Sequence, residues 1–187
     1  PKNNEDMHQA VQRESKAARE SAGILDASTL GKIDIQGTDA SEFLNRVYTN
    51  AWSKLAIGKC RYGLMLNEDG MVYDDGVTTR LDENHYIMTT TTGGAANVMG
   101  KLEDYLQTEW PELDVYLTSV TDHFATVSVC GPNSKKIISK VIPDLDLRDE
   151  SFPHMSFKDT KIGNINCKVM RISFTGEHSY EINIQAN

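Results

Sequence analysis

Two adjacent carboxylates stand in the middle of an otherwise β-forming run, Met71-Val72-Tyr73-Asp74-Asp75-Gly76-Val77-Thr78-Thr79. Aspartate is disfavoured inside strands, so a pair of them there calls for a reason. Alternation sends Asp74 and Asp75 to opposite faces, so at most one can enter a buried site while the other meets solvent or the turn. Two readings stand: an exposed hairpin with solvated acids, or a cleft carboxylate tuned for proton transfer or for stabilising a cation. A second such place is Arg171-Ile172-Ser173-Phe174-Thr175-Gly176-Glu177-His178-Ser179-Tyr180-Glu181-Ile182, where Gly176 bends the chain and leaves Glu177 and His178 at the bend. A carboxylate held there can accept two N–H donors from a planar heterocycle, the two-pronged geometry with which carboxylates meet guanidinium groups. Read alone, the segment is a turn with polar residues. His85, His123 and His154 stand singly, with no partner spacing, as structural or exposed side chains.

Other chemistries lack their residues. The chain has no G-x-G-x-x-G, no G-x-x-x-x-G-K-[ST], no H-E-x-x-H and no G-x-S-x-G. Cys60, Cys130 and Cys167 are an odd number at wide spacing, which argues against both a zinc site and a disulfide framework. No metal is expected, and a reducing, cytoplasmic compartment fits. Nineteen Lys and Arg against 27 Asp and Glu give a formal net charge of -8, which disfavours nucleic acid as a partner. The apolar runs are short and interrupted, far below the roughly 20 residues of a membrane span. The polar opening Pro1-Lys2-Asn3-Asn4-Glu5-Asp6 has no signal-peptide core behind it.

The elements that must position these residues follow from periodicity. From Glu5 to about Ser21, Met7, Ala10, Val11, Ala17 and Ala18 recur at three- and four-residue steps, predicting a surface helix that Gly23 ends. Ile24 to Ser28 reads as a short lead into a strand at 32–36. Gly37 turns the chain, and Thr38, Asp39 and Glu42 supply cap and first-turn acids for a helix carrying Phe43, Leu44 and Val47 inward. The same pattern recurs 94 residues later, with a strand over 126–130, Gly131, Pro132 and a helix with Ile137, Ile138 and Val141 on its face. Between the copies a hairpin is predicted over 61–66 and 71–81, with Asn67-Glu68-Asp69-Gly70 as its turn. A strand over 85–91, a helix from Gly93-Gly94 to about Gln107, and strands over 115–120 and 162–174 complete the reading. The fold class is α+β, mixed sheets with helices and a possible internal duplication. With 187 residues, one large domain or two small ones fit; an N-terminal helix over 1–22 and a domain over 23–187 are expected. The chain starts at Pro and ends inside an alternating pattern, so it reads as part of something longer, truncated at its C-terminal end.

In their order, Gly23-Ile24-Leu25-Asp26-Ala27-Ser28, Ile35-Gln36-Gly37-Thr38-Asp39-Ala40-Ser41-Glu42-Phe43-Leu44, Leu66-Asn67-Glu68-Asp69-Gly70 with Asp74-Asp75, Val129-Cys130-Gly131-Pro132 and Phe174-Thr175-Gly176-Glu177 resemble the folate-binding domain of the aminomethyltransferase (glycine-cleavage T-protein) family. Within it, 58–72 is most similar to the carboxy-terminal half of heterotetrameric sarcosine oxidase α subunits. T-proteins usually carry a second Gly where Met71 stands and a Leu where Gly76 stands.

The resemblance implies the aminomethyltransferase folate-binding fold and a tetrahydrofolate-dependent one-carbon transfer forming 5,10-methylenetetrahydrofolate. Its partners would be folate and the other sarcosine oxidase subunits, with FAD, FMN and NAD only in other parts of the assembly. By matching position, Asp75 corresponds to the family's catalytic aspartate, Asp74 to its less essential neighbour, and Glu177 to the glutamate that grips the pterin ring. Tyr62, Tyr180, Thr90 and Thr91 are carried over as candidate ring-site and polar contacts. An aminomethyltransferase, a folate-dependent demethylase and a non-catalytic folate-binding module remain open as alternatives. The piece is expected to be inactive, and to bind folate poorly, on its own.

Overall fold

The computed structural model describes Lys2 and residues 4–186. Asp6 caps the first helix, α1 (Met7–Glu20), by a reciprocal pair of bonds: its side chain accepts from Gln9 N at 2.8 Å while its own N–H donates to the Gln9 side chain at 3.0 Å. Only Ala10 of α1 is buried. A short strand, β1 (Gly23–Asp26), follows. In β2 (Gly31–Gln36), Ile33 and Ile35 alternate into the core, and buried Lys32 lays its ammonium on the Ser28 and Leu30 carbonyls.

Gly37 then takes φ +135°, and any Cβ there would lie 2.0 Å from the Asp114 carbonyl oxygen. The helix α2 (Ala40–Val47) buries Ala40, Phe43, Leu44 and Val47, as its spacing requires. The hairpin β3 (Cys60–Leu66) and β4 (Val72–Asp82) turns at Asn67–Gly70 and continues into β5 (His85–Thr90). The rest is α3 (Ala95–Asp104), β6 (Tyr116–Ser119), β7 (Phe124–Cys130), α4 (Ser134–Val141), β8 (Ser156–Ile162), β9 (Ile165–Arg171) and β10 (Ser179–Gln185).

The chain divides into two compact units: Ser28–Phe124 with Ala186, and the chain up to Ala27 with Ala125–Gln185. The first holds the sheet β3-β4-β5-β2-β6 around a core that includes Phe43, Leu44, Trp52, Tyr86 and Leu102. The second holds β1-β7-β10-β9-β8 around Ile138, Ile142, Phe152, Val169 and Tyr180. Read from the β6 and β1 edges, the two orders are the same: the strand before the helix is second from the edge, and the three strands after the helix follow in reverse order. The helices begin at 40 and 134 and end at 47 and 141, a constant offset of 94, and Gly131 (φ +106°) repeats the left-handed turn of Gly37. Both units are thus copies of one α+β design.

Four expectations differ. The lead over 24–28 contains a true strand, β1, because its backbone pairs with Val127–Cys130 although Ile24 and Leu25 stay exposed. The strand expected over 162–174 is β9, the returning arm of a hairpin: Gly163 (φ +58°) turns the chain from β8, whose polar Lys158, Asp159 and Lys161 hide its strand character from periodicity. The helix α3 gives way to one π turn over Tyr105–Glu109. On α4 only Ile138 of the expected face is fully buried, while Ile137 and Val141 are exposed.

Candidate functional site

The first half of β4 pairs with β3 but not with β5, whose ladder with β4 begins at Thr78↔Met88. Side chains fill the gap. The Thr89 hydroxyl accepts from Val77 N and donates to Val77 O, both at 3.0 Å. Asp74 bridges to Thr91 purely as an acceptor: Oδ1 accepts the Thr91 hydroxyl at 2.6 Å and Oδ2 the Thr91 N–H at 3.2 Å. Gly94 N–H in turn donates to Thr91 Oγ1. Asp74 is 6% exposed, so these bonds replace the water it has lost. Gly76 permits the approach, since a Cβ there would meet the Thr89 carbonyl oxygen at 1.9 Å.

Asp75 parts from Asp74 as strand alternation requires. It is half-buried, and Oδ2 accepts the Tyr62 hydroxyl at 2.8 Å from the neighbouring strand. That bond, with the carboxylate's charge, holds the Tyr62 phenol above its ordinary range. Tyr62 is 49% exposed. Tyr48 is buried nearby in the same unit, and burial pushes its phenol far up; the Thr78 hydroxyl opposes this, and the charges of Asp74 and Asp75 add to it. The Ser28–Phe124 unit therefore offers one locked carboxylate and one accessible, hydroxyl-tethered carboxylate.

The other unit carries Glu177 at the bend between β9 and β10. Gly176 takes φ +84°, and its N–H donates to Ser173 Oγ at 3.0 Å. The Glu177 carboxylate lines a cleft of about 410 Å³ together with His154, Arg171, Ser173 and His178. Arg19 of α1 ion-pairs with Glu177 Oε1. Arg171, 6% exposed, is fixed by Asp149 at 2.9 Å and the Phe152 carbonyl at 2.6 Å, and its Nη2 lies 3.3 Å from His178 Nδ1. The Arg171 guanidinium holds the Asp149 carboxyl below the usual range.

Of the residues singled out in the sequence, Asp74, Asp75, Tyr62, Thr90 and Thr91 fall in one unit and Glu177 and Tyr180 in the other. Asp75 joins Tyr62, and Asp74 joins Thr91. Thr90 is 2% exposed, and its hydroxyl donates to the Thr91 carbonyl. Tyr180 is fully buried; its ring packs beside Phe152 with centroids 6.0 Å apart, and its hydroxyl has no hydrogen-bond partner among the described residues. These last two sit inside the framework rather than on a cleft wall. His85, read as structural or exposed, is paired with Asp34 at 2.6 Å. Arg19 and Arg171 escaped the sequence reading, because nothing in a surface-helix pattern or a strand end announces a partner more than 150 residues or one sheet strand away. Among the described residues no group of three His, Cys, Asp or Glu could hold a metal ion, and no helix is long and apolar enough to cross a membrane.

Residues 1–187 match the family described as the GCVT N-terminal domain. The chain is 56% identical over 185 residues to sarcosine oxidase subunit alpha of Corynebacterium sp. (strain P-1), covering 98% of this chain and 19% of that protein. It is 31% identical over 173 residues to an aminomethyltransferase of Listeria monocytogenes serotype 4a (strain HCC23), covering 92% of this chain and 46% of that one. The chain thus spans about a fifth of the first relative and just under half of the second. The glycine cleavage system aminomethyltransferase T from Bartonella henselae superposes with TM-score 0.79 at 24% identity, covering 94% of this chain and 45% of that one, which shows a shared fold. Matched along its whole length and built on that fold, the chain belongs to the GCVT N-terminal domain family.

Proposed function

We propose that this chain is the folate-binding region of a sarcosine oxidase α subunit, where the carbon unit released from sarcosine is joined to tetrahydrofolate as 5,10-methylenetetrahydrofolate. The observation that carries this reading is the difference in likeness over nearly the same span: 56% identity to a sarcosine oxidase α subunit against 31% to an aminomethyltransferase. In this reading the other oxidase subunits are its partners, and flavin and nicotinamide chemistry lies outside this chain.

The donor set fits a reduced pterin. Such a ring presents a ring N–H and an amino group along one edge, and Glu177 sets an accepting carboxylate in a cleft of about 410 Å³. Bound tetrahydrofolate supplies the two amine nitrogens that capture the carbon unit. Glu177 accepts the N–H donors and so fixes the ring's orientation. Asp75 is the base: the Tyr62 hydroxyl holds Oδ2 and so orients the carboxylate that takes the proton. Tyr62 lies beside Asp75 with half its surface exposed and can meet the ligand directly. Asp74, Thr90 and Thr91 serve from behind, by fixing the strand on which Asp75 sits, and Tyr180 by filling the core under β10.

The test uses the complete oxidase assembly. Asp75→Asn keeps the shape and loses the base, so 5,10-methylenetetrahydrofolate formation falls by roughly 10²- to 10⁴-fold while folate affinity changes far less. Glu177→Ala weakens folate binding by about tenfold or more. Normal transfer in Asp75→Asn with lost binding in Glu177→Ala leaves a non-catalytic folate-binding module. Normal behaviour of both variants removes the reading.

A further inference from the structure

Within the unit that carries Glu177, three segments far apart in sequence are fastened at one point. The last turn of α1 carries Arg19, whose Nη1 donates to the Thr175 carbonyl at 2.8 Å and also to Glu177 Oε1. The end of α1 is held in turn by the Gly131 turn. Asn133 N–H donates to the Ser21 carbonyl at 2.9 Å, and a Cβ on Gly131 would lie 2.7 Å from that same oxygen and 2.9 Å from the Ala18 carbonyl oxygen. The Gly131 N–H then donates to the His178 carbonyl at 2.8 Å, and the Ser134 hydroxyl to that carbonyl at 3.0 Å. The bend bearing Glu177 is therefore clasped from both sides, at Thr175 by Arg19 and at His178 by the Gly131 turn.

From this we infer that Arg19 is a positioning residue for Glu177, so that α1 forms part of the folate-gripping site. The inference rests on the reading of Glu177 as the pterin anchor. A glutamate side chain has three rotatable bonds, and ordering it at the moment of binding costs affinity. Arg19 removes that cost beforehand by holding one carboxylate oxygen, while the second oxygen and the remaining lone pair of the first stay available to two N–H donors. Among the described residues Arg19 is the one cation paired with this carboxylate. Both of its bonds come from a single nitrogen, so a lysine ammonium with three protons can reproduce them where an apolar side chain of similar length cannot.

The experiment measures tetrahydrofolate affinity by calorimetry in the complete protein, with the thermal midpoint followed alongside. The variants are Arg19→Met, Arg19→Lys, Glu177→Gln and the double variant Arg19→Met with Glu177→Gln. Arg19→Met should weaken binding by about tenfold and Arg19→Lys should restore most of it. The thermal midpoint should stay close to that of the parent, because an ion pair with so exposed a partner contributes little stability. In the Glu177→Gln background, Arg19→Met should cost nothing further. Unchanged or tighter binding in Arg19→Met, with binding lost in Glu177→Gln, overturns the positioning role and leaves the pterin anchor standing. An equal loss from Arg19→Met in both backgrounds also overturns it, since that is the signature of α1 packing alone. Normal binding in Glu177→Gln overturns the anchor and the positioning role together.

Discussion

Asp74 and Asp75 are neighbours in sequence with opposite physical situations. Asp74 is buried and gives both oxygens to Thr91, while Asp75 is half-buried and accepts the Tyr62 hydroxyl through Oδ2. Asp74→Asn sets its NH₂ either against the Thr91 N–H, donor to donor, or against the Thr91 hydroxyl, which then loses the carboxylate that accepted its proton; either loss costs on the order of 1–3 kcal/mol for a buried group. The variant should show a lower denaturant midpoint with an unchanged slope, and Thr91→Val a comparable loss. An unchanged midpoint in both would mean that the Asp74–Thr91 bonds contribute nothing to stability. Sequence reasoning could see that the two acids must face apart, because a period of two demands it. It could not see which one is buried, because that depends on β4 leaving the β5 ladder at Thr78 and on Thr91 waiting beyond the end of β5.

At the scale of elements, the helices and strands with clear periodicity were legible, and those held mainly by backbone pairing were not. The helix α2 could be read from Phe43, Leu44 and Val47; β1 and β8 could not, since a strand ordered by its neighbour's hydrogen bonds needs no alternation of its own. Even the cap residues of α2 were partly misread. Asp39 stands at the N-cap, but its carboxylate accepts from Asp114 N at 2.9 Å, tying the helix to the loop before β6 instead of capping the first turn. The helix α1 is legible as an amphipathic surface helix, but its anchoring is not. Just before it, Glu5 takes both prongs of Arg13, at 2.8 and 3.0 Å, and these bonds hold its carboxyl down at about 2. A carboxyl depressed in the folded state stabilises that state above its unfolded value, here 4.5, and loses the effect as pH falls toward 2. Amide-exchange protection of α1 relative to β2 should therefore decline across that window, and Glu5→Gln should abolish the pH dependence. Equal pH dependence in parent and variant would assign the decline to other carboxyls.

At the scale of the whole molecule, the 94-residue offset seen in the sequence corresponds to one strand-helix-strand-strand-strand plan used twice, with Leu44 and Ile138 at equivalent helix positions. The two copies have diverged where chemistry is concerned. The aspartate pair on β4 has Lys168 and Val169 at the same offset on β9, whereas Glu177 on the bend before β10 is matched at that offset by Glu83 on the bend before β5. What was kept is the packing of the helix on its own sheet. Leu44 and Ile138 are both fully buried, yet they belong to separate core clusters. Truncating either to alanine should cost about 2–5 kcal/mol, the usual range for a buried aliphatic side chain that leaves a cavity. Because the clusters share no residue, the costs should add in the double variant to within about 0.5 kcal/mol. The spread between the two single variants is informative as well. The face of α4 is only partly covered, with Ile137 and Val141 exposed, whereas α2 buries Phe43 and Val47 on either side of Leu44. A site with open neighbours relaxes more readily around a lost side chain, so Ile138→Ala should fall toward the low end of that range and Leu44→Ala toward the high end. Denaturant unfolding of the two single variants and the double variant measures all three values. A coupling well above 1 kcal/mol would show that the two cores act as one.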